Sequence, residues 1–102
     1  MQETAVLVVI EVVSVKDPEG LKVYQEHASK LIGPLGGAVL AVGGKPVEGE
    51  PGFSAIVVQR WSSEGAFRAW IDSEAYKPLR EIWHASVTMR VAIVPISAGQ
   101  DL

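Results

Sequence analysis

The segment AVLVVIEVVSV, residues 5–15, constrains the fold of this chain more than any other stretch. Its many β-branched residues predict a strand, but both alternating sets of side chains are mostly apolar. One set is Val6, Val8, Ile10, Val12 and Ser14, and the other is Ala5, Leu7, Val9, Glu11, Val13 and Val15. A sheet that faces water on one side has a polar residue at every second position. This strand therefore needs cover on both faces.

Turn and cap residues predict the elements that follow the first strand. Asp17 is a good N-cap and Pro18 suits the first helical position, so a helix should start there and run to about Ile32. Strands are predicted at 38–42 and 53–61, and a last strand at 86–96, which is again apolar in both phases.

Between the third and fourth strands the sequence predicts a second helical region. Ser62 or Ser63 caps its first part, and Ser73 is the predicted N-cap of its second part. Pro78 should distort that second part, because a residue inside a helix needs an N–H for the preceding turn.

The order strand, helix, strand, strand, helix, strand predicts an α+β protein of the ferredoxin-like, split β-α-β fold. Its four antiparallel strands would lie in the order 4-1-3-2 with the helices on one face. We expect one domain over residues 1–102, with a core at about 5–96 and a flexible tail at 97–102.

Composition excludes several classes of function. The 102 residues include no cysteine, so disulfides, thiolate metal sites and a catalytic cysteine are excluded. The net charge of -3 provides no basic face for nucleic acid. The apolar run at 5–15 is too short to span a bilayer and lacks the flanks of a signal peptide. We expect a cytoplasmic protein without nucleic-acid or membrane partners.

Strands that are apolar on both faces predict self-association. Helices on one side of the sheet leave an opposite face with several aliphatic side chains, and soluble monomers rarely expose such a patch. Each well-buried aliphatic side chain contributes about 1.5–3 kcal/mol, so a few of them suffice to drive association. A second copy, packed sheet against sheet, is the simplest cover, and we expect a homodimer.

The sequence resembles the DUF1330 family of the dimeric α+β barrel superfamily. The matching segments are VKDPEGLKVY, LGGAVLAVGG and VVQRWSSEGAFRAWIDSEAYKPL, followed by the final apolar strand. The resemblance covers about residues 5–96 and implies two ferredoxin-like protomers that close a barrel between their sheets. It also implies kinship with cofactor-free oxygenases, isomerases and dehydratases in the wider superfamily.

Glu11 and Arg90 are the first candidate site residues. If the first and fourth strands align at their centres, the two lie opposite each other on one face. A buried carboxylate must be paired or protonated. They are therefore either a ligand-binding or acid–base pair inside the barrel, or a structural ion pair across the strands.

His27 and Tyr24 are the candidate catalytic residues. His27 lies at the edge of the first helix's apolar stripe, one turn from Tyr24, where it would act as the base and Tyr24 as its orienting partner. The alternative is a half-exposed histidine without a role. The other histidine, His84, is placed at a helix end, where the dipole favours an imidazolium whatever the function. Two histidines without a carboxylate cluster predict no metal site.

Tyr76, Arg80 and Trp83 share a helical face and would line a cleft against the sheet. Arg80 there would hold a carboxylate, or it extends past an apolar surface into solvent. Phe67 and Trp70 are predicted core residues.

Three functions remain open, and none of them needs a cofactor. The protein binds a small organic molecule in a pocket between helices and sheet. Alternatively, it is a cofactor-independent enzyme of the oxygenase, isomerase or dehydratase type, acting on an activated phenol, enol or carboxylate. In the third case it is a non-catalytic structural or regulatory dimer, whose pocket would be filled by Trp61, Trp70 and Trp83.

Overall fold

The computed structural model describes residues 4–49 and 52–96. The elements are β1 Val6–Val15, α1 Pro18–Leu31, a single 3-10 turn Gly33–Leu35, β2 Gly37–Gly43, β3 Ala55–Trp61, α2 Glu64–Ile71, α3 Lys77–Ser86 and β4 Val87–Pro95. All strand pairs are antiparallel, in the order β2-β3-β1-β4. The predicted α+β ferredoxin-like fold is confirmed. The predicted tail, 97–102, lies outside the described residues.

Two predicted helix starts are confirmed by their caps. The Asp17 carboxylate accepts a hydrogen bond from the Gly20 N–H at 3.1 Å, immediately before Pro18 opens α1. The Ser63 hydroxyl accepts one from the Ala66 N–H at 3.0 Å at the start of α2. Each cap satisfies a backbone donor that a first helical turn leaves without a partner.

The prediction for the second helical region is wrong at Ser73 and Pro78. The region divides into two helices, and α3 begins only at Lys77, so Pro78 lies in its first turn. A first-turn residue has no intrahelical N–H bond to lose, so the proline causes no distortion. Ser73 instead organises the turn between the helices: its hydroxyl donates to the Trp70 carbonyl at 2.7 Å and accepts from the Tyr76 N–H at 3.3 Å.

The core lies between the sheet and the three helices. One phase of β1 is buried there, with Val8 0% exposed. The other phase, which includes Leu7 and Val9, is only half-buried and lies on the face of the sheet that no helix covers. Within the single chain, the apolar strand β1 is thus covered on one face only. Within 4–49 and 52–96, no helix has the length and apolar character needed to cross a membrane.

A candidate ligand-binding site between helices and sheet

Two adjoining clefts lie on the helix side of the sheet. The first, which we call the apolar cleft, has a volume of about 420 Å³ and lies between α1 and the strands β2 and β3. The second, the polar cleft, has a volume of about 500 Å³ and lies between α2, α3 and the strands β1 and β4. Five residues line both clefts: Ile10, Tyr24, Gln59, Trp70 and Trp83.

An aromatic cluster forms the wall between the clefts. Tyr24 of α1 stacks on Trp83 of α3, with ring centroids 4.6 Å apart and planes at 20°. The hydroxyls of Tyr24 and Tyr76 are 3.0 Å apart, and the Tyr76 ring packs against Trp70 at 4.6 Å. Because these rings come from α1, α2, α3 and the turn before α3, their contacts hold the helices together and fix the shape of the wall.

The two tyrosines of this wall are neutral hydrogen-bonding groups. Burial raises the pKa of Tyr24 far above its ordinary 10.0, and the neighbouring Tyr76 raises it further. Burial also raises the pKa of Tyr76, although the Tyr24 hydrogen bond and the Arg80 charge oppose this. A hydrogen bond lowers an acid's pKa when it is donated to the ionised form. Either hydroxyl can donate in this pair, and when Tyr24 donates, the Tyr76 proton is free to donate into the cleft.

The raised pKa values predict that both tyrosines ionise at a higher pH in the folded protein than in the unfolded chain. The chain has two tyrosines, so the tyrosinate absorbance at 295 nm reports on this pair alone. Above pH 10 the unfolded chain loses protons that the folded chain keeps, so stability falls as pH rises, by about 1.4 kcal/mol per pH unit for each tyrosine. We expect tyrosinate to appear together with the loss of far-UV circular dichroism. A tyrosinate signal near pH 10 with the dichroism intact would contradict this, and denatured protein is the control.

Gln59 is a site residue that the sequence analysis missed. Its side-chain oxygen accepts a hydrogen bond from the indole N–H of the fully buried Trp61, at 2.9 Å. This bond fixes the orientation of the amide and leaves its NH₂ group as the donor available to the clefts. A signal was present, because in the inward phase of β3 (Ala55, Val57, Gln59, Trp61) Gln59 is the single amide among apolar residues.

Several predicted site residues do come together. Tyr24, Tyr76, Arg80 and Trp83 all line the polar cleft, and they come from two helices and the turn before the second of these. Trp70, predicted as core, is buried but also lines both clefts.

His27 is not brought into the site. Its side chain is exposed, its Nδ1 lies 2.9 Å from the Val23 carbonyl of its own helix, and it lines neither cleft. The expected pair with Tyr24 is therefore not assembled, since Tyr24 bonds Tyr76 instead. The histidine that lines the polar cleft is His84. No cluster of three potential metal ligands is found among residues 4–49 and 52–96.

Glu11 and Arg90 form an ion pair, but away from the clefts. They are direct partners in the register of β1 and β4, and the guanidinium donates to the carboxylate. Both lie in the strand phase opposite to the buried one, on the uncovered face of the sheet. The structure thus pairs these two residues across the strands and separates them from Arg80 and Tyr76.

Structural comparisons place the chain among ferredoxin-like proteins. It resembles a protein of unknown function from Rhodopseudomonas palustris (TM-score 0.80, 17% identity, covering 94% of this chain and 85% of that one). It also resembles SnoaB, a cofactor-independent oxygenase from Streptomyces nogalater (0.60, 16%, 100% and 98%). A dimeric ferredoxin-like protein of unknown function from Bacteroides fragilis is a third match (0.59, 8%, 94% and 100%). At these identities the likeness shows the fold alone.

Sequence comparisons give the family. No curated protein matches the chain. The family model described as a domain of unknown function, DUF1330, matches residues 5–96, which is nearly the whole length. The protein therefore belongs to the DUF1330 family.

Proposed function

We propose that the protein binds a small organic molecule in the two adjoining clefts. The observation that carries this proposal is the pair of spaces, about 420 and 500 Å³, that meet at Tyr24, Gln59 and Trp83. Sites for small molecules have volumes of about 300–1,000 Å³, with mostly apolar walls and a few placed polar groups. The fixed amide of Gln59 and the Tyr24–Tyr76 pair are polar groups of this kind.

The tryptophans argue against a purely structural role. In a scaffold, Trp61, Trp70 and Trp83 would fill the space between helices and sheet. Here Trp61 packs beside the clefts, while Trp70 and Trp83 form their walls and leave the space open. Keeping such space costs stability, because apolar side chains along it lack packing partners. A ligand that fills the space would restore those contacts.

A cofactor-independent reaction is the second candidate function. Two observations favour it: the fold is shared with SnoaB, and the imidazole of His84 lines the polar cleft. His84 would take the place of His27 as the base that removes a proton from an activated phenol or enol. NMR spectra of ligands incubated with the protein distinguish the two functions. A chemically altered ligand supports the reaction, and an unaltered one supports binding alone.

We also propose a homodimer through the uncovered face of the sheet. On the uncovered face, Val9 has Val58 and Ala92 as its cross-strand partners, which provides an apolar centre for the contact. The similar Bacteroides protein is described as dimeric.

Filling the polar cleft should abolish binding. Val91 lines this cleft and is 46% exposed, so Val91→Trp adds an indole without overpacking the core. We expect p-cresol, cyclohexenone or trans-cinnamate to raise the melting temperature of the wild type, and this shift to be lost in the variant because the space is occupied. Val23→Trp is the matched control, since Val23 is 42% exposed and lines neither cleft. Equal shifts in both variants would contradict the proposed site.

A further inference from the structure

The polar cleft is rich in hydrogen-bond donors and has no acidic side chain in its wall. The residues that line it include Arg68, Arg80, His84, Gln59 and Tyr76, whereas none of its described lining residues is Asp or Glu. Gln59 has its oxygen occupied by Trp61 and offers its NH₂ group. A ligand in this cleft therefore faces hydrogen-bond donors and must itself supply hydrogen-bond acceptors.

Arg80 differs in its pairing from the other cations of α2 and α3, Arg68 and Lys77. Arg68 is bonded to Glu64 at 2.7 Å, and Lys77 to Glu74 at 2.8 Å. Arg80, by contrast, has no carboxylate within 4.0 Å among residues 4–49 and 52–96. It lies one helical turn after Tyr76, and its N–H bonds the Tyr76 carbonyl at 2.7 Å. Its positive charge acts on the Tyr76 hydroxyl, whose pKa it lowers. The guanidinium is therefore near the Tyr76 hydroxyl and is available to an anion.

The walls beside these donors are apolar and partly flat. Trp83 and Trp70 present aromatic rings, while Met89 and Ile93 of β4 line the sheet side. A planar apolar body fits such walls, because aromatic faces and aliphatic side chains bury it without leaving polar groups unpaired. The cleft thus has a cationic, donor-rich part next to an apolar part.

We infer that the ligand is an organic anion, with a carboxylate or enolate oxygen bound by the Arg80 guanidinium and the Tyr76 hydroxyl, and with its apolar body between Trp83 and the sheet. This inference rests on the proposed binding function. When the Tyr76 hydroxyl donates to the anion, the Tyr24 hydroxyl donates to Tyr76, and each bond in this chain polarises the next in the same direction. A neutral analogue of the same shape loses the charge-assisted part of this interaction.

The test compares trans-cinnamate with the neutral trans-cinnamamide by isothermal titration calorimetry. We expect the wild type to bind the anion about tenfold more tightly, because hydrogen bonds to charged groups are roughly twice as strong as neutral ones. Arg80→Gln should remove this preference and leave the affinity for the amide within about twofold. Lys77→Gln is the control: it removes one positive charge from the same helix outside the clefts, and it should keep the preference.

The outcomes separate the two proposals. If both compounds bind equally well and Arg80→Gln changes neither affinity, the anion inference is overturned while the binding function stands. If neither compound binds the wild type, both are overturned for ligands of this size. If Lys77→Gln lowers the preference as much as Arg80→Gln does, the effect is that of net charge, and the assignment to Arg80 is overturned.

Discussion

The Gly37→Ala variant is expected to lose about 3 kcal/mol of unfolding free energy, at the upper end of the cost of overpacking a core. A Cβ atom on Gly37 would lie 2.7 Å from Cε2 and Cζ2 of the Trp61 ring. Gly37 and Trp61 are direct partners in the register of β2 and β3, so the ring lies against the glycine. The indole cannot withdraw, because it is 0% exposed, bonds Gln59, and packs edge-on against Phe67 at 5.5 Å.

Thermal unfolding followed by circular dichroism measures this loss, and we expect the melting temperature to fall by about 12 °C or more. Gly33→Ala is the matched control, because a Cβ at Gly33 meets nothing within 4 Å. If Gly37→Ala does not fold, Gly37→Ala with Trp61→Phe should recover folded protein, since the smaller ring removes the clash. A melting temperature within 2 °C of the wild type would show that the ring moves freely and would contradict the argument.

The fold could be predicted from local features that tertiary packing did not override. The apolar phases of β1, the Asp17 cap with Pro18, and the glycines after α1 each specify an element boundary or a strand face. The pairing of Glu11 with Arg90 followed from aligning the centres of two strands of similar length. Because strand side chains alternate between the two faces of a sheet, a correctly predicted register also assigns every side chain to the correct face.

The site could be predicted only in part, because it depends on how each helix is rotated against the sheet. At 100° per residue, Tyr24, Gln25 and Ala28 lie on one side of α1, and His27 lies about 130° from the centre of the cleft-lining residues. The polar Gln25 and Ser29 line the apolar cleft beside the apolar Leu21 and Ala28, so the inward face of α1 includes positions that hydrophobicity does not mark. The stacking of Tyr24 on Trp83 sets this rotation, and such a contact between distant helices leaves no signal in local sequence.

The division of the second helical region has a similar cause. Two structures are compatible with Ser73 and Pro78. Either Ser73 is an N-cap and Pro78 distorts the helix that follows, or Ser73 forms a turn and Pro78 lies in the first turn of a later helix. The burial of Tyr76 decides between them, because this residue is 5% exposed and contacts Tyr24 and Trp70 in the core. The turn at Ser73 places Tyr76 in the core, and α3 starts at the next residue, Lys77.

Introducing a carboxylate at the centre of the uncovered sheet face should convert the proposed dimer into a monomer. In Val9→Glu the new side chain would lie between Val58 and Ala92 of the neighbouring strands. In the protomer this face is open to water, so the variant should fold normally. In the dimer the carboxylate would be buried without a partner, which costs several kcal/mol. We expect association to weaken at least a hundredfold.

Sedimentation velocity at micromolar concentrations measures the change, with the wild type expected as a dimer and Val9→Glu as a monomer of unaltered circular dichroism. Val23→Glu is the matched control, because Val23 lies on α1, is already 42% exposed, and should leave the dimer intact. The experiment also bears on the ion pair, since a second sheet packed on this face would bury Glu11 and Arg90 together, where a paired charge is tolerated and an unpaired one is not. A wild-type protein that sediments as a monomer would mean that the half-buried phase of β1 is stable in water, and the interface would have to be abandoned.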